Sequence, residues 1–376
     1  MKLLHASDFH LDSPLTGLPP DKSARRRREL REVPARLAKL AGEEGVDLVL
    51  LSGDLLDGER VYPETVRGLA QALRDMAVPV FIAPGNHDYY HSKSPYALTA
   101  WPDNVHIFTQ PGLEAVELPE LRCVVHGCAF TAPHREDDPL SGFTAPDDGR
   151  LHLLCVHGEV GPAGSYGPID PKSLEKSGAA YAALGHIHAG MSGRAGKTLW
   201  AYPGCPEGRG FDELGEKGVL IVSFGQPAQL AISSPDGPAS APIDLGEQSV
   251  AARFVPVCRR QYCIESVNVD SFTDSLPQGE SPDLVRLLLA GESRFVPDLA
   301  ALTAQAAPHF FHVELRDHTT LPQDLWARES EDTLTGLFLR EMKARLEGAE
   351  DGEKDKLLLA ARFGLAALEG GEDVRP

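Results

Sequence analysis

The chain has 376 residues, enough for two domains; 42% of them are hydrophobic and 24% charged, as is typical of globular proteins. No stretch approaches the roughly 20 apolar residues that a membrane span requires, and residues 1–8 lack the apolar run of a signal peptide. The formal net charge of −19 is opposite to the basic surface that most nucleic-acid-binding proteins carry. The six cysteines form no C-x-x-C pair, so we expect a reduced, cytoplasmic protein without a disulfide framework.

The first half of the chain alternates strand patterns with helical patterns. Strands are predicted at residues 2–7, 46–52 and 78–83, and helices at residues 22–42 and 63–76. The 46–52 segment is almost entirely apolar, which is typical of a strand buried on both faces. Further strands are predicted at residues 122–129, 151–157, 181–184, 199–202 and 218–223. This order predicts an α/β layered fold.

A stretch containing Pro, Ser and Gly at residues 225–246 interrupts this alternation and predicts a domain boundary. Beyond it, strands are predicted at residues 253–257, 262–269, 284–289 and 310–315, and a helix at residues 297–306. We therefore predict a first domain at 1–232, a linker at 233–250, a small α/β capping domain at 251–328 and a helical segment at 329–376. In that last segment, Leu334, Leu337, Phe338 and Met342 are predicted to form one apolar stripe.

A basic run lies in the first predicted helix. Residues 21–39 contain eight Lys or Arg against three Asp or Glu, with arginine at each position from 25 to 28. Such a run either contacts phosphate or is a solvated helix face, and the solvated face is the commoner case.

Five short motifs contain residue types that bind metals, and most of them follow a predicted strand. They are Asp8-x-His10, Gly53-Asp54-Leu55-Leu56-Asp57, Gly85-Asn86-His87-Asp88, Val156-His157-Gly158 and Gly185-His186-Ile187-His188. Each motif alone is weak, because such short patterns also occur by chance and in ordinary turns. Together, at the carboxyl ends of strands in an α/β fold, they predict a single site.

Their chemistry suits hydrolysis of a phosphoester. The side chains offer carboxylate, imidazole and amide groups and no thiolate, a mixture that favours Mn²⁺, with Fe, Zn²⁺ or Mg²⁺ as alternatives. In an extended segment residues i and i+2 point to the same side, so Asp8 and His10 are predicted to share a cavity, as are His186 and His188. Two nearby cations and an imidazole acid can supply what phosphodiester hydrolysis requires.

At these motifs the sequence resembles the calcineurin-like metallophosphoesterases, within them the SbcD-like DNA repair exonucleases, and among these most of all the YhaO-type proteins. The similarity lies in the opening Leu4-His5-Ala6-Ser7-Asp8-Phe9-His10-Leu11-Asp12-Ser13-Pro14, in Gly85-Asn86-His87-Asp88-Tyr89-Tyr90, and in Tyr202-Pro203-Gly204-Cys205-Pro206-Glu207-Gly208-Arg209-Gly210-Phe211. It covers roughly residues 1–224, and the remainder matches more loosely.

The resemblance implies a role for each matching residue. One metal would be held by Asp8, His10 and His188, and the other by Asn86, His157 and His186. The Asp54 carboxylate would bridge the two metals. His87 would protonate the leaving oxygen and Asp57 would orient it, while Asp88 would fix the loop. The other histidines considered, which match no motif, are interpreted as structural or surface residues: His5, His91, His106, His126 and His152.

One departure bears on the substrate. Gly58 stands where phosphatases of this class carry an Arg that grips a phosphomonoester. The favoured hypothesis is therefore a two-metal DNA exonuclease working in DNA repair beside an SbcC-like ABC-type ATPase. The alternative is a phosphodiesterase or phosphatase for a small nucleotide-like substrate, and the third hypothesis is a non-catalytic scaffold. DNA, the ATPase and a second copy of the chain are the partners considered, and no membrane is expected. The resemblance makes the helical segment at 329–376 the candidate docking element for the ATPase, and the alternative is that its helices pack on the chain itself.

Overall fold

The computed structural model describes residues 1–58, 61–161, 164, 166–225, 250–293, 295–320 and 323–368. The chain divides into two compact units, Met1–Gln261 and Tyr262–Pro376. No helix among the described residues is long and apolar enough to cross a membrane. All six cysteines are free thiols.

The first unit alternates strands and helices along the chain. Its strands are β1 (Lys2–Ala6), β2 (Leu48–Leu51), β3 (Val80–Ile82), β4 (Val105–Ile107), β5 (Glu114–Leu118), β6 (Cys123–Gly127), β7 (Leu151–His157), β8 (Glu159–Val160), β9 (Pro168–Ile169), β10 (Tyr181–Gly185), β11 (Met191–Ala195), β12 (Thr198–Tyr202), β13 (Gly218–Phe224) and β14 (Val250–Pro256). Its helices are α1 (Pro20–Arg31), α2 (Val33–Glu44), α3 (Pro63–Asp75), α4 (Pro95–Leu98), α5 (Pro171–Ser177) and a short 3-10 helix (Pro119–Leu121).

Two six-stranded sheets form the centre of this unit. The first has the order β14-β13-β1-β2-β3-β4, and the second has the order β11-β12-β10-β7-β6-β5. Strands β1 to β4 run parallel to one another, as do β6, β7, β10 and β12. Each sheet therefore gathers the carboxyl ends of several strands at one edge, where the loops that follow them can meet.

The two sheets pack face to face between layers of helices. In β1, Leu3 lies in the core between the sheets, whereas Leu4 packs against the α1–α3 side of the first sheet. On the outer face of the second sheet, Leu154 and Leu184 pack with Leu174 of α5. Since successive strand residues face opposite ways, both faces of strands β1, β2, β7 and β10 are buried, which explains their continuous apolar runs. The predicted α/β layered fold is confirmed.

The first helical segment differs from its prediction. The sequence pattern predicted one helix at residues 22–42, but the structure has two, α1 and α2, which meet at Glu32. Pro34 lies in the first turn of α2, where its missing N–H is tolerated, while in a continuous helix it would remove an internal hydrogen bond. The apolar periodicity continues through the break and therefore does not reveal it.

The second unit contains a small parallel sheet and helices. Its strands β15 (Tyr262–Asn268), β16 (Ser281–Ala290) and β17 (Phe310–Asp317) form a sheet in that order. Helix α6 (Leu299–Ala306) connects β16 to β17, and α7 (Leu334–Glu347) and α8 (Asp351–Leu368) follow. Short 3-10 helices lie at Val269–Ser271, Thr273–Ser275, Ala307–His309 and Gln323–Ser330. That this unit caps the first one stays a prediction.

The unit boundary falls later than the sequence suggested. The strand predicted at residues 253–257 was assigned to the capping domain at 251–328, yet β14 pairs antiparallel with β13 in the first sheet. A strand pattern identifies an extended segment but not the strand with which it pairs, so the assignment was wrong at this point. Most of the predicted linker, residues 233–249, lies outside the described residues, and Val250 begins β14.

The two final helices pack on each other and on the rest of their unit. Leu339 of α7 and Leu365 of α8 are buried together, with Trp326 and Phe338 against them. From α8, Arg362 donates to the Phe295 carbonyl oxygen at 3.2 Å. The predicted stripe was partly wrong, because Leu334 and Leu337 are 67% and 57% exposed while Gly336, Leu339 and Met342 form the buried face of α7.

Candidate metal centre

The predicted site residues lie on loops at the carboxyl ends of the central strands. In the first sheet, Asp8 and His10 follow β1, Asp54 follows β2 and Asn86 follows β3. In the second sheet, His157 ends β7, and His186 and His188 follow β10. The sandwich thus brings two strand edges together, and the structure places all seven predicted metal ligands around one centre.

A first ligand group contains Asp8, His10 and His188, whose donor atoms lie within 4.8 Å of one another. The Nε2 atoms of His10 and His188 are 3.2 Å apart, and His188 Nε2 is 3.7 Å from Asp8 Oδ1. Asp8 and His10 are buried, and His188 is half-buried, so the group opens to solvent on the His188 side.

A second ligand group contains Asp54, His157 and His186. Asn86 joins it, because its Oδ1 atom lies 3.0 Å from His157 Nε2 and 3.2 Å from His186 Nδ1. The two groups adjoin at Asp54, whose Oδ2 is 3.4 Å from His157 Nε2 and 3.8 Å from His10 Nε2. The carboxylate therefore lies between the groups, as a bridging ligand would.

Burial sets the charge state of these side chains. It raises the pKa of Asp8 to about 6, and together with the Asp88 charge it raises the pKa of Asp54 to about 7. It lowers the pKa of His10 and His186 to about 3, so both imidazoles are neutral near pH 7. Neutral imidazoles offer lone pairs, and a cation between the carboxylates would favour their charged forms.

His87 and Asp57 lie beside these two ligand groups, and His87 also forms a third group with His10 and Asp54 whose donor atoms lie within 4.8 Å of one another. His87 Nδ1 is 3.2 Å from Asp57 Oδ1, and the same oxygen is 3.1 Å from His10 Nδ1. The hydrogen bond to Asp57 raises the pKa of His87. Burial opposes the charge of Asp57, but its hydrogen bonds with His10 and His87 outweigh that effect and hold the pKa of Asp57 well below its usual range. His87 is exposed, so it can both meet a substrate and carry a proton.

The backbone at the site is unusual. Four of the candidate ligands, Asp8, His10, Asp54 and His186, have positive φ angles of 57°, 44°, 52° and 107°. The extended geometry predicted for Asp8-x-His10 and His186-x-His188 is therefore wrong, since β1 ends at Ala6 and β10 ends at Gly185. The side chains converge because the loops turn sharply, not because alternate strand residues share a face.

Two glycines allow this close approach. Gly53 has φ of 88°, and a Cβ atom there would lie 2.6 Å from His157 Nδ1. A Cβ atom at Gly185 would collide with the Ser52 carbonyl oxygen. That oxygen accepts a hydrogen bond from His157 Nδ1 at 2.8 Å, which leaves His157 Nε2 to face the second ligand group.

Asp88 fixes the loops around the second group, as its motif position suggested. Its carboxylate accepts hydrogen bonds from the backbone N–H groups of Gly85 at 2.8 Å and Leu55 at 2.7 Å. It also accepts from the Tyr96 hydroxyl at 2.6 Å. One buried side chain thus joins the Gly53–Asp57 motif to the Gly85–Asp88 motif.

The histidines without a motif lie apart from the ligand groups found among the described residues. His5 is buried between the sheets, 2.8 Å from the Tyr181 hydroxyl. His126 Nε2 is 2.9 Å from His152 Nδ1, and burial lowers the pKa of His126 to about 4.

Sequence reasoning missed Glu213. Its carboxylate lies 2.8 Å from His188 Nδ1, and it pairs with Arg209 at 2.7 Å. Arg209 belongs to the matching segment quoted above, but Glu213 follows that segment in a loop and carries no motif. Its position two residues after Phe211 does not indicate a function, because Glu213 reaches His188 only through the fold of this loop.

The donor set fits divalent cations. The Nδ1 atoms of His10 and His188 each face a carboxylate, Asp57 and Glu213. In the tautomers that donate from Nδ1 to these carboxylates, the two Nε2 lone pairs point at each other across 3.2 Å. Two lone pairs at that distance repel unless a positive charge lies between them. Carboxylate, imidazole and amide ligands are those that Mn²⁺, Fe and Zn²⁺ accept.

Comparisons with known proteins agree with this geometry. The model of the calcineurin-like phosphoesterase family matches residues 1–190, which include both ligand groups. The metallophosphoesterase YhaO of Bacillus subtilis is 30% identical, over 59% of this chain and 57% of its own. The DNA double-strand break repair protein Mre11 of Aeropyrum pernix is 28% identical, over 58% and 56%.

The SbcD component of the nuclease SbcCD of Bacillus subtilis is 23% identical, over 59% of this chain and 66% of its own. The chain thus spans less than two thirds of the length of each of these relatives. The family model alone covers half of the chain and every candidate ligand. The chain belongs to the calcineurin-like phosphoesterase family.

Proposed function

We propose that the protein is a two-metal phosphodiester hydrolase and that its substrate is DNA, which it degrades as an exonuclease in DNA repair. The observation that carries the proposal is the Asp54 carboxylate between two ligand groups, with the exposed His87 imidazole beside them. Asp8, His10 and His188 hold one cation in this proposal, and Asn86, His157 and His186 hold the other. The ligand types favour Mn²⁺.

Two bound cations would supply an activated nucleophile and neutralise charge on the phosphate. The chain's own contribution is positioning and proton transfer. His87 donates a proton to the leaving oxygen, and Asp57 holds the imidazole in position through Nδ1 at 3.2 Å. The raised pKa of His87 keeps a larger fraction of it protonated near neutral pH, as an acid requires.

The choice of a diester rests on Gly58 and the choice of DNA on the relatives. Gly58 offers no guanidinium to grip the terminal charge of a monoester. Relatives named as a DNA double-strand break repair protein and as a subunit of a nuclease match 58% and 59% of this chain.

The net charge of −19 supports a second candidate, a phosphodiesterase for a small nucleotide-like substrate. Repulsion between an acidic surface and a polyanion weakens DNA binding, whereas a small diester meets only the site itself. An SbcC-like ATPase partner would reconcile the charge with DNA, because the partner could supply basic surface. One relative is itself named as one component of a nuclease with several subunits.

The test compares substrates. The full chain is incubated with Mn²⁺ and end-labelled single-stranded DNA, end-labelled double-stranded DNA, bis(p-nitrophenyl) phosphate or p-nitrophenyl phosphate, with a chelator as the control. We expect Mn²⁺-dependent loss of nucleotides from DNA ends and faster hydrolysis of the chromogenic diester than of the monoester. Hydrolysis of the diester with intact DNA would favour the second candidate, and a preference for the monoester would contradict both.

A further inference from the structure

Glu213 lies in the loop between β12 and β13, beyond the residues that the family model matches. Its side chain is buried, with 5% of its surface exposed. A buried carboxylate is stable only when it is paired, and here its partners are Arg209 and His188, of which His188 belongs to the metal centre.

The contacts of Glu213 converge on His188. Glu213 Oε1 is 2.8 Å from His188 Nδ1 and 2.7 Å from Arg209 Nη2. Glu213 Oε2 accepts from the Arg209 backbone N–H at 2.7 Å. The same Arg209 Nη2 is 2.9 Å from His188 Nδ1. One ring nitrogen therefore faces both an acceptor and a donor.

These two neighbours favour opposite tautomers of His188. A carboxylate only accepts, so Glu213 requires the proton on Nδ1 and leaves a lone pair on Nε2. A guanidinium only donates, so Arg209 requires the lone pair on Nδ1 and puts the proton on Nε2. Nε2 is the atom that faces Asp8 and His10, and only its unprotonated form can bind a cation.

In two other ligands of the centre, an acceptor also faces Nδ1. His10 Nδ1 faces the Asp57 carboxylate at 3.1 Å, and His157 Nδ1 faces the Ser52 carbonyl oxygen at 2.8 Å. Each of these partners is an acceptor, and each leaves Nε2 directed at a ligand group. His188 differs because a competing donor is also in place.

We propose that Glu213 is a positioning residue that holds His188 in its metal-binding tautomer against the competing Arg209 guanidinium. The inference rests on the proposed metal centre and extends it to a residue outside the motifs. Arg209 has a second effect, because its charge stabilises the buried Glu213 carboxylate. Loss of Glu213 alone should therefore leave Arg209 to block the first ligand group.

The loop that carries both residues is anchored independently. Glu207 is buried and pairs with Arg26 at 2.9 Å and with Arg36 at 2.6 Å. These ion pairs do not involve Glu213, so replacing Glu213 removes its contacts with His188 and Arg209 and leaves this anchor of the loop in place.

The experiment is a Mn²⁺ titration of the metal-free full chain by calorimetry, with no substrate present. For Glu213→Ala we expect one class of site to weaken by about 10- to 100-fold while the other is retained. For Glu213→Gln, which keeps the shape and one acceptor, we expect a smaller loss at the same site. Adding Arg209→Ala to Glu213→Ala should recover part of the affinity, because the competing donor is removed.

A double-mutant cycle with His188→Ala separates positioning from general loosening. If Glu213 acts through His188, Glu213→Ala should change the remaining affinity of the His188→Ala variant by less than about twofold. An equal loss with and without His188, or wild-type affinity in Glu213→Ala, would overturn the inference. If Glu213→Ala does not fold, as judged by circular dichroism, Glu213→Gln takes its place in the cycle under the same criteria.

This titration tests the role of Glu213 separately from the proposal that DNA is the substrate. The titration contains no DNA, so a finding that DNA is not cleaved would leave the role of Glu213 intact. A wild-type chain that binds no Mn²⁺ would overturn both the metal centre and this inference.

Discussion

Four of the candidate ligands have positive φ angles, although none of them is glycine. Each such conformation costs roughly 1–3 kcal/mol and persists only where the surrounding structure enforces it. Here the loops are enforced by hydrogen bonds such as those of Asp88 to the Gly85 and Leu55 backbones. Half of the described non-glycine residues with positive φ are thus candidate metal ligands, as a pre-organised ligand set requires.

At the scale of single residues, a substitution of His87 tests proton transfer separately from metal binding. His87→Ala should retain Mn²⁺ binding and lower the turnover of DNA or an alkyl diester by about 10²–10⁴-fold, because the leaving alkoxide needs a proton. With a nitrophenolate leaving group the loss should be much smaller. His309→Ala, in the second unit, is the control and should change neither rate. Equal losses on both kinds of substrate would show that His87 is not the acid.

The site residues could be predicted wherever a motif contains them. Asp54, Asn86 and His186 lie in short patterns whose joint occurrence is specific. Glu213 could not be predicted, because a carboxylate that contacts His188 from another loop needs no fixed spacing from it. Asp8 and His10 were predicted to converge because they lie in an extended segment, and this reason was wrong. Residue types give little indication of backbone turns of this kind.

Among the elements, α1 changes the interpretation of the basic run. Arg26 is completely buried and pairs with Glu29 at 2.7 Å and Glu207 at 2.9 Å, whereas Arg25 and Arg28 are exposed. The run is therefore neither a uniform phosphate-binding face nor a uniform solvated one. Removing all four charges at once would confuse unfolding with the loss of a DNA contact.

The two kinds of arginine should behave differently. Arg26→Ala should lower the free energy of unfolding by about 3–5 kcal/mol, because it leaves Glu207 and Glu29 buried with one partner fewer. The matched change Arg28→Ala should stay within about 0.5 kcal/mol of wild type. Urea denaturation followed by circular dichroism measures both. Similar stability of the two variants would contradict the role assigned to Arg26.

We propose that the ATPase partner, if present, docks on helix α7 through its exposed leucines. Leu334→Ser with Leu337→Ser should weaken binding to the cognate SbcC-like ATPase and leave the free energy of unfolding within about 0.5 kcal/mol, since both leucines are exposed. The matched change Leu339→Ala removes a buried side chain and should cost about 2–5 kcal/mol. Unchanged affinity for the ATPase in the double-serine variant would exclude this surface as the docking site.

Element prediction was most accurate for continuously buried strands, and several of the strands that it missed are only partly buried. The segment at 151–157 was predicted with the bounds that β7 has, because every residue there contributes to a buried inner strand. Strands β4, β5 and β11 were not predicted, since they are short and only partly buried. The pairing of β14 with β13 depends on chain topology, which periodicity does not encode.

At the scale of the whole molecule, the net charge disfavours DNA binding, whereas the metal centre favours phosphate binding. The formal charge of −19 repels a polyanion, while two divalent cations would concentrate four positive charges at the strand edges. Most of the chain's phosphate affinity would then come from the metal centre. The activity of the whole molecule therefore depends on whether both ligand groups hold a cation at the same time.

The most direct test of that claim counts metal ions. Elemental analysis and calorimetry with Mn²⁺ should give two ions per wild-type chain. Asp54→Asn should weaken binding at both sites and abolish hydrolysis of bis(p-nitrophenyl) phosphate, while circular dichroism shows an intact fold. A single ion per wild-type chain at saturating Mn²⁺, or full activity in Asp54→Asn, would contradict the binuclear centre.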